Sequence, residues 1–294
     1  MPNLTAPHPP HLGIFDSGIG GLSVLRAVRR QWPQARCTYV ADSRFTPWGD
    51  RPAGWVVARC LQLTEYLLAD GVDGVLVACN TASTQAITAL RQRWPGVPFV
   101  GVEPGIKPAA AASRNQRVAV LATTGTLASP RLAQLVAAHA GSAALLHLPC
   151  PGLAEAIEQA GAGDAALHRR LDKIAARLRA AAVDTVVLGC THYPLVADAL
   201  QARLGPGVLL VDTADAVARQ VVRVLGGVVG VDGVGGTGEP ANRISGPGPS
   251  PRLLSTGASA LLQQAARRWL DPAARAETLY LPDPAPAGPL PHLA

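Results

Sequence analysis

Two cysteines stand at matching positions in a chain that repeats itself. Residues 72–81 read Val-Asp-Gly-Val-Leu-Val-Ala-Cys-Asn-Thr, and they align without gaps on Val-Asp-Thr-Val-Val-Leu-Gly-Cys-Thr-His at 183–192. Each segment is a short apolar run that ends in a small residue and then a cysteine, Cys79 in the first and Cys190 in the second. A thiolate is a base and a thiol is an acid. Two of them on opposite faces of a substrate carbon can remove a proton from one side and deliver one from the other, which inverts a stereocentre. A free thiol has a pKa of about 8.5, and proton transfer works best with groups near the working pH. Neighbours must therefore tune the pair. Asp16 is a candidate to polarise one thiol, and His192 with Glu158 the other. Ser17, Asn80, Thr81 and Thr191 lie beside these residues. Such side chains, with nearby helix N-termini, suit a substrate bearing carboxylates and an ammonium. A buried cysteine is by default a small hydrophobe. Two at matched strand ends, each followed by hydrogen-bonding residues, favour function.

The elements that position them follow the same offset. A continuous β-branched run after a helical pattern reads as a buried parallel strand. The run 11–15 leads into Asp16-Ser17-Gly18, and 117–121 leads into residues 122–125. Segment 37–42 has its counterpart in 144–149. Helical patterns cover 22–31, 54–69, 130–139 and 164–182. Strands alternating with helices mean βαβ units and parallel sheets. The fold class is therefore α/β: two similar domains, mostly parallel sheets flanked by helices, related by a pseudo-twofold, with the active site in the cleft between them. Ligands in such sheets bind beyond the carboxyl ends of the strands, which is where both cysteines fall. A helix follows over 213–225, a Gly/Pro-rich loop over 226–251, then a strand at 253–256 and a helix over 258–270. That last piece has no equivalent after Leu121 and is expected to complete the first domain. The expected division is 11–105 plus 211–281 for the first domain, 106–210 for the second, and flexible tails at 1–10 and 282–294.

Composition narrows the classes. The chain has 294 residues, enough for about two domains. Its 48% hydrophobic and 16% charged content argues against disorder throughout. The net charge is +6, but only Lys107 and Lys173 are lysines, which points to compositional bias toward arginine. No run of like charges resembles a nucleic-acid arm, so nucleic acid is not expected as a partner. No apolar run reaches the roughly 18 residues of a membrane span, and the proline-rich N-terminus lacks the basic region of a signal peptide. A cytoplasmic location with reduced thiols is expected. None of the five cysteines forms a CxxC pair, and no metal is assigned. Cys37 and Cys60 read as core cysteines, and Trp32, Trp55, Trp94 and Trp269 as helix anchors.

The motifs resemble those of a known family. Residues 16–24, Asp-Ser-Gly-Ile-Gly-Gly-Leu-Ser-Val, are similar to the opening signature of cofactor-independent glutamate racemases. Residues 78–83 resemble the first cysteine motif of that family and 188–195 the second. Thr123 to Thr126, and Cys150-Pro151 with Glu158 eight residues after the cysteine, also fit. The resemblance spans residues 12 to 270. It implies that Cys79 exchanges the proton of D-glutamate and Cys190 that of L-glutamate. Asp16 and His192 would assist, with Glu158 behind His192. Asp16, Ser17, Trp48, Gly49, Asn80, Thr81, Thr191 and His192 would contact substrate, with Thr123 and Thr126 nearby. It further implies no cofactor, a homodimer, and a role in supplying D-glutamate for peptidoglycan. One departure is Pro47-Trp48-Gly49, where the family usually has Pro-Tyr-Gly.

Rival readings have weaker support. An aspartate racemase would do the same chemistry on a shorter substrate, but that group tends to carry Glu after Cys-Thr, where His192 stands here. A thiol hydrolase built on Cys190 and His192 leaves Cys79 unexplained. A Cys79–Cys190 disulfide needs Cα atoms within about 7 Å, closer than a substrate between them would allow. A pyridoxal-phosphate racemase needs a Schiff-base lysine. Lys107 reads as a helix start or crossover and Lys173 as a solvated helix residue. Gly18-Ile19-Gly20-Gly21 is a weak dinucleotide fingerprint unless Asp42 serves as its acidic partner. These glycines read instead as a tight turn whose N–H groups face substrate. Some members of the resembled family are reported to bind DNA gyrase, but no motif here calls for it.

Overall fold

The computed structural model describes residues 9–160, 164–227 and 248–284. The N-terminal third builds β1 (His11–Asp16), α1 (Leu22–Gln31), β2 (Arg36–Ala41), α2 (Ala53–Ala69), β3 (Gly74–Val77), α3 (Asn80–Arg93) and β4 (Phe99–Gly101). A crossover leads into α4 (Ile106–Ala112), β5 (Arg117–Ala122), α5 (Thr124–Leu127), α6 (Pro130–His139) and β6 (Ala144–Pro149). There follow α7 (Leu153–Gln159), α8 (Ala165–Ala180), β7 (Thr185–Gly189), a 3-10 turn at Tyr193–Val196, α9 (Ala197–Leu204) and β8 (Leu209–Val211). The chain then forms α10 (Ala214–Gly226), β9 (Arg252–Ser255), α11 (Ser259–Trp269) and β10 (Ala276–Thr278).

The strands make two sheets, ordered β10-β9-β2-β1-β3-β4 and β6-β5-β7-β8. Every pairing is parallel. The run β2-β1-β3-β4 has the same order as β6-β5-β7-β8, so the two halves share one βαβ plan. Strands β9 and β10 extend the first sheet beyond β2. Central strands are mostly apolar because both faces are covered: β1, β3 and β7 are buried along their whole length.

Helices cover the sheets by their apolar faces. In α1, Leu22, Val24, Leu25, Ala27 and Val28 are buried, while Arg29 and Arg30 close the last turn, where cations suit the helix dipole. Packing α1 against α10 builds one core layer, with Leu22, Leu25, Val221 and Leu225 among its buried members. On the other face of the first sheet, α2 and α3 bury Val56, Leu63, Leu67, Ala82 and Leu90 against Phe15 and Val77. The second sheet has its own pair of layers, one around Leu171, Val186 and Leu188 and one around Val118, Val120 and Leu132.

Several short elements were not expected from the sequence. Strands β4, β8 and β10 are three residues each, too short to carry a period of two. The 228–247 part of the expected loop lies outside the described residues, as do residues 1–8 and 285–294 of the expected tails. The start of the C-terminal tail is held in place. The Pro282 carbonyl accepts from Arg59 and Gln62, and Asp283 pairs with Arg44 at 3.0 Å.

Candidate active site

The carboxyl ends of β1 and β3 meet those of β5 and β7, and the predicted site residues converge there. Asp16 is the last residue of β1 and is fully buried. Its Oδ2 accepts the Gly21 N–H at 2.8 Å. Cys79 directly precedes α3 as its N-cap. Its thiol donates to Ser17 Oγ at 3.5 Å, and Ser17 Oγ donates in turn to Asp16 Oδ1 at 3.4 Å. Asp16 therefore reaches Cys79 through Ser17. The sequence reading placed Ser17 only as a substrate contact, because adjacency in sequence does not reveal how side chains are linked.

Cys190 follows β7 and leads into the 3-10 turn rather than a full helix. Its Sγ lies 3.7 Å from His192 Nδ1. The far nitrogen of that ring, Nε2, donates to Glu158 Oε1 at 2.7 Å. Glu158 comes from α7, and the same oxygen accepts the Ile19 N–H at 3.0 Å. The turn after β1 thus reaches across to the second sheet. Ser23 does the same, donating to the Thr191 carbonyl at 3.1 Å.

These contacts correct one expectation. The Gly18–Gly21 turn was expected to offer its N–H groups to substrate. Those of Ile19 and Gly21 are instead taken by Glu158 and Asp16. Buried carboxylates need donors, and the turn supplies them. Asp42 is likewise spoken for, which removes it as a ribose ligand. It accepts from Arg59 at 2.6 and 2.9 Å and from Thr256 at 2.8 Å, in an ion pair with no exposed side-chain surface. Lys107 begins α4 and Lys173 lies within α8, both exposed.

The remaining predicted residues line the same junction. The hydroxyl of Thr81, on α3, meets Thr123 Oγ1 at 2.9 Å and Thr126 Oγ1 at 3.3 Å. Thr123 caps α5 by accepting the Thr126 N–H. The Gly49 carbonyl accepts the Gly125 N–H at 3.0 Å, so the loop after β2 also touches the second half. Trp48 is buried in the first-sheet core, edge-on to Trp55 with ring centroids 5.7 Å apart. Trp48 Nε1 and Asn80 Nδ2 are buried donors without a protein partner. A cavity of about 330 Å³ lies elsewhere, lined by Ser83, Arg91, Glu103, Thr213 and Gln220 among others. None of the predicted site residues lines it.

Electrostatics divides the two thiols. Burial and the negative charge of Asp16 push the Cys79 thiol well above the ordinary range, against the Ala82 N–H and the Ser17 hydroxyl, which favour its thiolate. Burial also raises the Asp16 carboxyl, against the pull of His192. Burial alone would lower His192. The bonds to Cys190 and Glu158 outweigh it and hold the imidazole well above its usual value. One thiol therefore faces a buried carboxyl through a serine. The other faces a ring held in its cationic form.

Comparison with known proteins now bears on the site. Residues 23–221 match the family model described as Asp/Glu/Hydantoin racemase. The chain belongs to that family. It is 42% identical to a glutamate racemase of Cupriavidus pinatubonensis over 287 residues, 98% of this chain and all of the relative. A glutamate racemase of Ectopseudomonas mendocina is 46% identical over 215 residues, covering 73% of this chain and 82% of the relative. Among solved structures, Escherichia coli glutamate racemase in complex with L-glutamate and an activator, UDP-MurNAc-ala, superposes with a TM-score of 0.75 at 29% identity. The match covers 93% of this chain and 99% of that one. A glutamate racemase of Bacillus anthracis gives 0.74 at 26% identity, over 95% and 100% of the two chains. The two-domain α/β architecture is thus that of the racemase family. Among the described residues, no helix is long and apolar enough to cross a membrane.

Proposed function

We propose that this chain interconverts L- and D-glutamate by proton transfer between two thiols, Cys79 on one face of the α-carbon and Cys190 on the other. The observation that carries this reading is the convergence of two repeat-matched strand ends, each delivering a cysteine with its own proton-handling partner. In one direction Cys190 takes the α-proton of L-glutamate as a thiolate and Cys79 gives its thiol proton to the opposite face. In the other direction the roles exchange. The α-carbon–hydrogen bond breaks on one face as a new one forms on the other, so the reaction consumes nothing. His192, steadied by Glu158, holds positive charge beside Cys190. Asp16 acts on Cys79 through Ser17, and the substrate ammonium brings compensating positive charge to that side.

Asn80, Thr81 and Thr191 bind the substrate's polar groups, with Thr123 and Thr126 completing the wall and the Trp48-Gly49 loop closing it. The free Asn80 Nδ2 supports this, as a buried donor awaiting an acceptor. Cys79 and Cys190 are only 4% and 7% exposed, so substrate enters by separation of the two halves. Domains at 11–105 plus 211–281 and at 106–210 are the bodies that part. The product serves peptidoglycan synthesis in the cytoplasm, and the working form is a homodimer. Glutamate rather than aspartate follows from the relatives and from His192-Tyr193 in the second motif. A pocket distinguishes one methylene by about 1–3 kcal/mol, so weak turnover of aspartate accompanies it.

The test is to incubate reduced protein with L-glutamate in D₂O without pyridoxal phosphate, with aspartate alongside. Loss of optical rotation with deuterium uptake at the α-carbon is expected for glutamate. A folded, reduced protein that exchanges neither amino acid overturns the reading.

A further inference from the structure

We infer that Gly18 and Gly20 are positioning residues of the Cys190 half-site: lacking side chains, they let the first-domain turn press onto Glu158 and His192, so the hydrogen bonds that fix the pair behind Cys190 are completed only when the two domains are closed. The inference rests on the proposed pairing of Cys190 with His192 and extends it to residues of the opposite domain.

Close packing carries the argument. A Cβ on Gly18 would overlap Glu158 Oε1 and lie 2.8 Å from its Cδ. A Cβ on Gly20 would overlap His192 Nδ1 and lie 2.7 Å from the His192 backbone nitrogen. Neither glycine is among those with positive φ, so the backbone conformation is not what requires glycine. The space belongs to the opposite domain. Between the two glycines, the Ile19 N–H donates to the oxygen that also receives His192 Nε2. Ser23 fixes the turn further, its single hydroxyl hydrogen shared between the carbonyls of Gly20 at 2.9 Å and Thr191 at 3.1 Å. A carboxylate oxygen has room for two such donors. Opening the halves removes Ile19 and leaves Glu158 to His192 alone.

The partners of Cys79 differ in this respect. Ser17 and Asp16 belong to the same sheet end as Cys79, so opening leaves them in place. Closure therefore completes the hydrogen bonds behind one thiol and leaves those behind the other unchanged.

The experiment compares Gly18→Ala in two backgrounds. The overlap at Gly18 is with the end of a side chain, which can swing aside, so the fold should survive. In the otherwise native protein, displacing Glu158 should lower kcat/KM by about 100-fold, the scale of an ångström-level misplacement. With Glu158→Ala already present, Gly18→Ala should change kcat/KM by less than about threefold, because the space is empty. The alkaline limb of the pH–rate profile should move to lower pH in Gly18→Ala, as in Glu158→Ala, because the imidazole loses its anion. If Gly18→Ala alone unfolds, a double variant that melts with Glu158→Ala still supports the contact. Equal losses in both backgrounds, or a native pH profile in Gly18→Ala, overturn the inference. Cys190→Ser run alongside separates the two readings. If it remains an active racemase, the assignment of Cys190 fails and the inference with it. If it is inactive and the Gly18→Ala losses are equal, the inference alone fails.

Discussion

The Cys79 and Cys190 half-sites descend from one repeated pattern, a parallel strand ending in a cysteine, yet they are furnished differently. Cys79 caps α3 and meets a hydroxyl, and behind that a buried carboxylate. Cys190 leads into a 3-10 turn and meets an imidazole, and behind that a carboxylate from another helix. The backbone plan fixes where the sulfur atoms sit. The charges around them are set mostly by residues away from the two cysteine segments, Asp16 at the end of β1 and Glu158 on α7, with His192 closing the second segment. In the proposed reaction, the different surroundings suit the two thiols to complementary roles in one proton transfer.

The largest break in this comparison is Glu158→Gln. Replacing the carboxylate removes one of the groups that raise His192 and leaves burial, which lowers its pKa, opposed by Cys190 and Asp16. Activity at neutral pH should fall about 100-fold, within the span of a positioned acid–base group, and the alkaline limb should move down. Stability follows the same titration. A histidine whose folded pKa is raised adds stability that is fully present below the unfolded value of about 6.5 and is lost as pH rises through the folded value. The melting advantage of the native protein over Glu158→Gln should therefore shrink as pH rises above about 6.5. A constant difference in melting temperature across that range would contradict the assignment.

A smaller effect tests the other half. Ser17→Ala cuts the link between Cys79 and Asp16. It should cost about tenfold in kcat, the low end of the roughly 1.5–3 kcal/mol of a hydrogen bond to a charged group, because the bonds at 3.4 and 3.5 Å are long. The alkaline limb set by His192 should stay where it is. A shift of that limb in Ser17→Ala would mean that the two half-sites are not separately furnished.

The smallest effect belongs to Trp48→Tyr. The indole is packed in the core against Trp55, with its Nε1 unpaired. The change should alter kcat/KM by less than about threefold and lower stability by about 1 kcal/mol, the cost of a near-conservative core change. A tenfold gain in affinity for glutamate would show that a tyrosine hydroxyl belongs at this position.

What was legible in the sequence depended on range. Buried parallel strands announce themselves as apolar runs, so β1, β3, β5 and β7 could be read directly, and the cysteines with them. Strands of three residues carry no such pattern. The relay from Cys79 through Ser17 to Asp16 was not legible, because neighbours along a strand point to different sides. The grip of Ile19 on Glu158 joins residues 139 apart in sequence, and a glycine gives no local sign that its missing side chain makes room for a distant one. Arg59 gave no signal either. It stands on a helix face, yet its partner Asp42 ends the strand-like segment 37–42, and only the fold unites them.

The most direct test of two opposed thiols is where solvent deuterium first appears. In D₂O, with L-glutamate as the starting enantiomer, samples are taken before a tenth of it has reacted. Each thiol carries a single proton, so the account predicts deuterium at the α-carbon of the D-glutamate formed and almost none in the L-glutamate that remains. Deuterium entering the remaining L-glutamate as fast as the product, or product that keeps its original α-hydrogen, would mean that one base serves both faces.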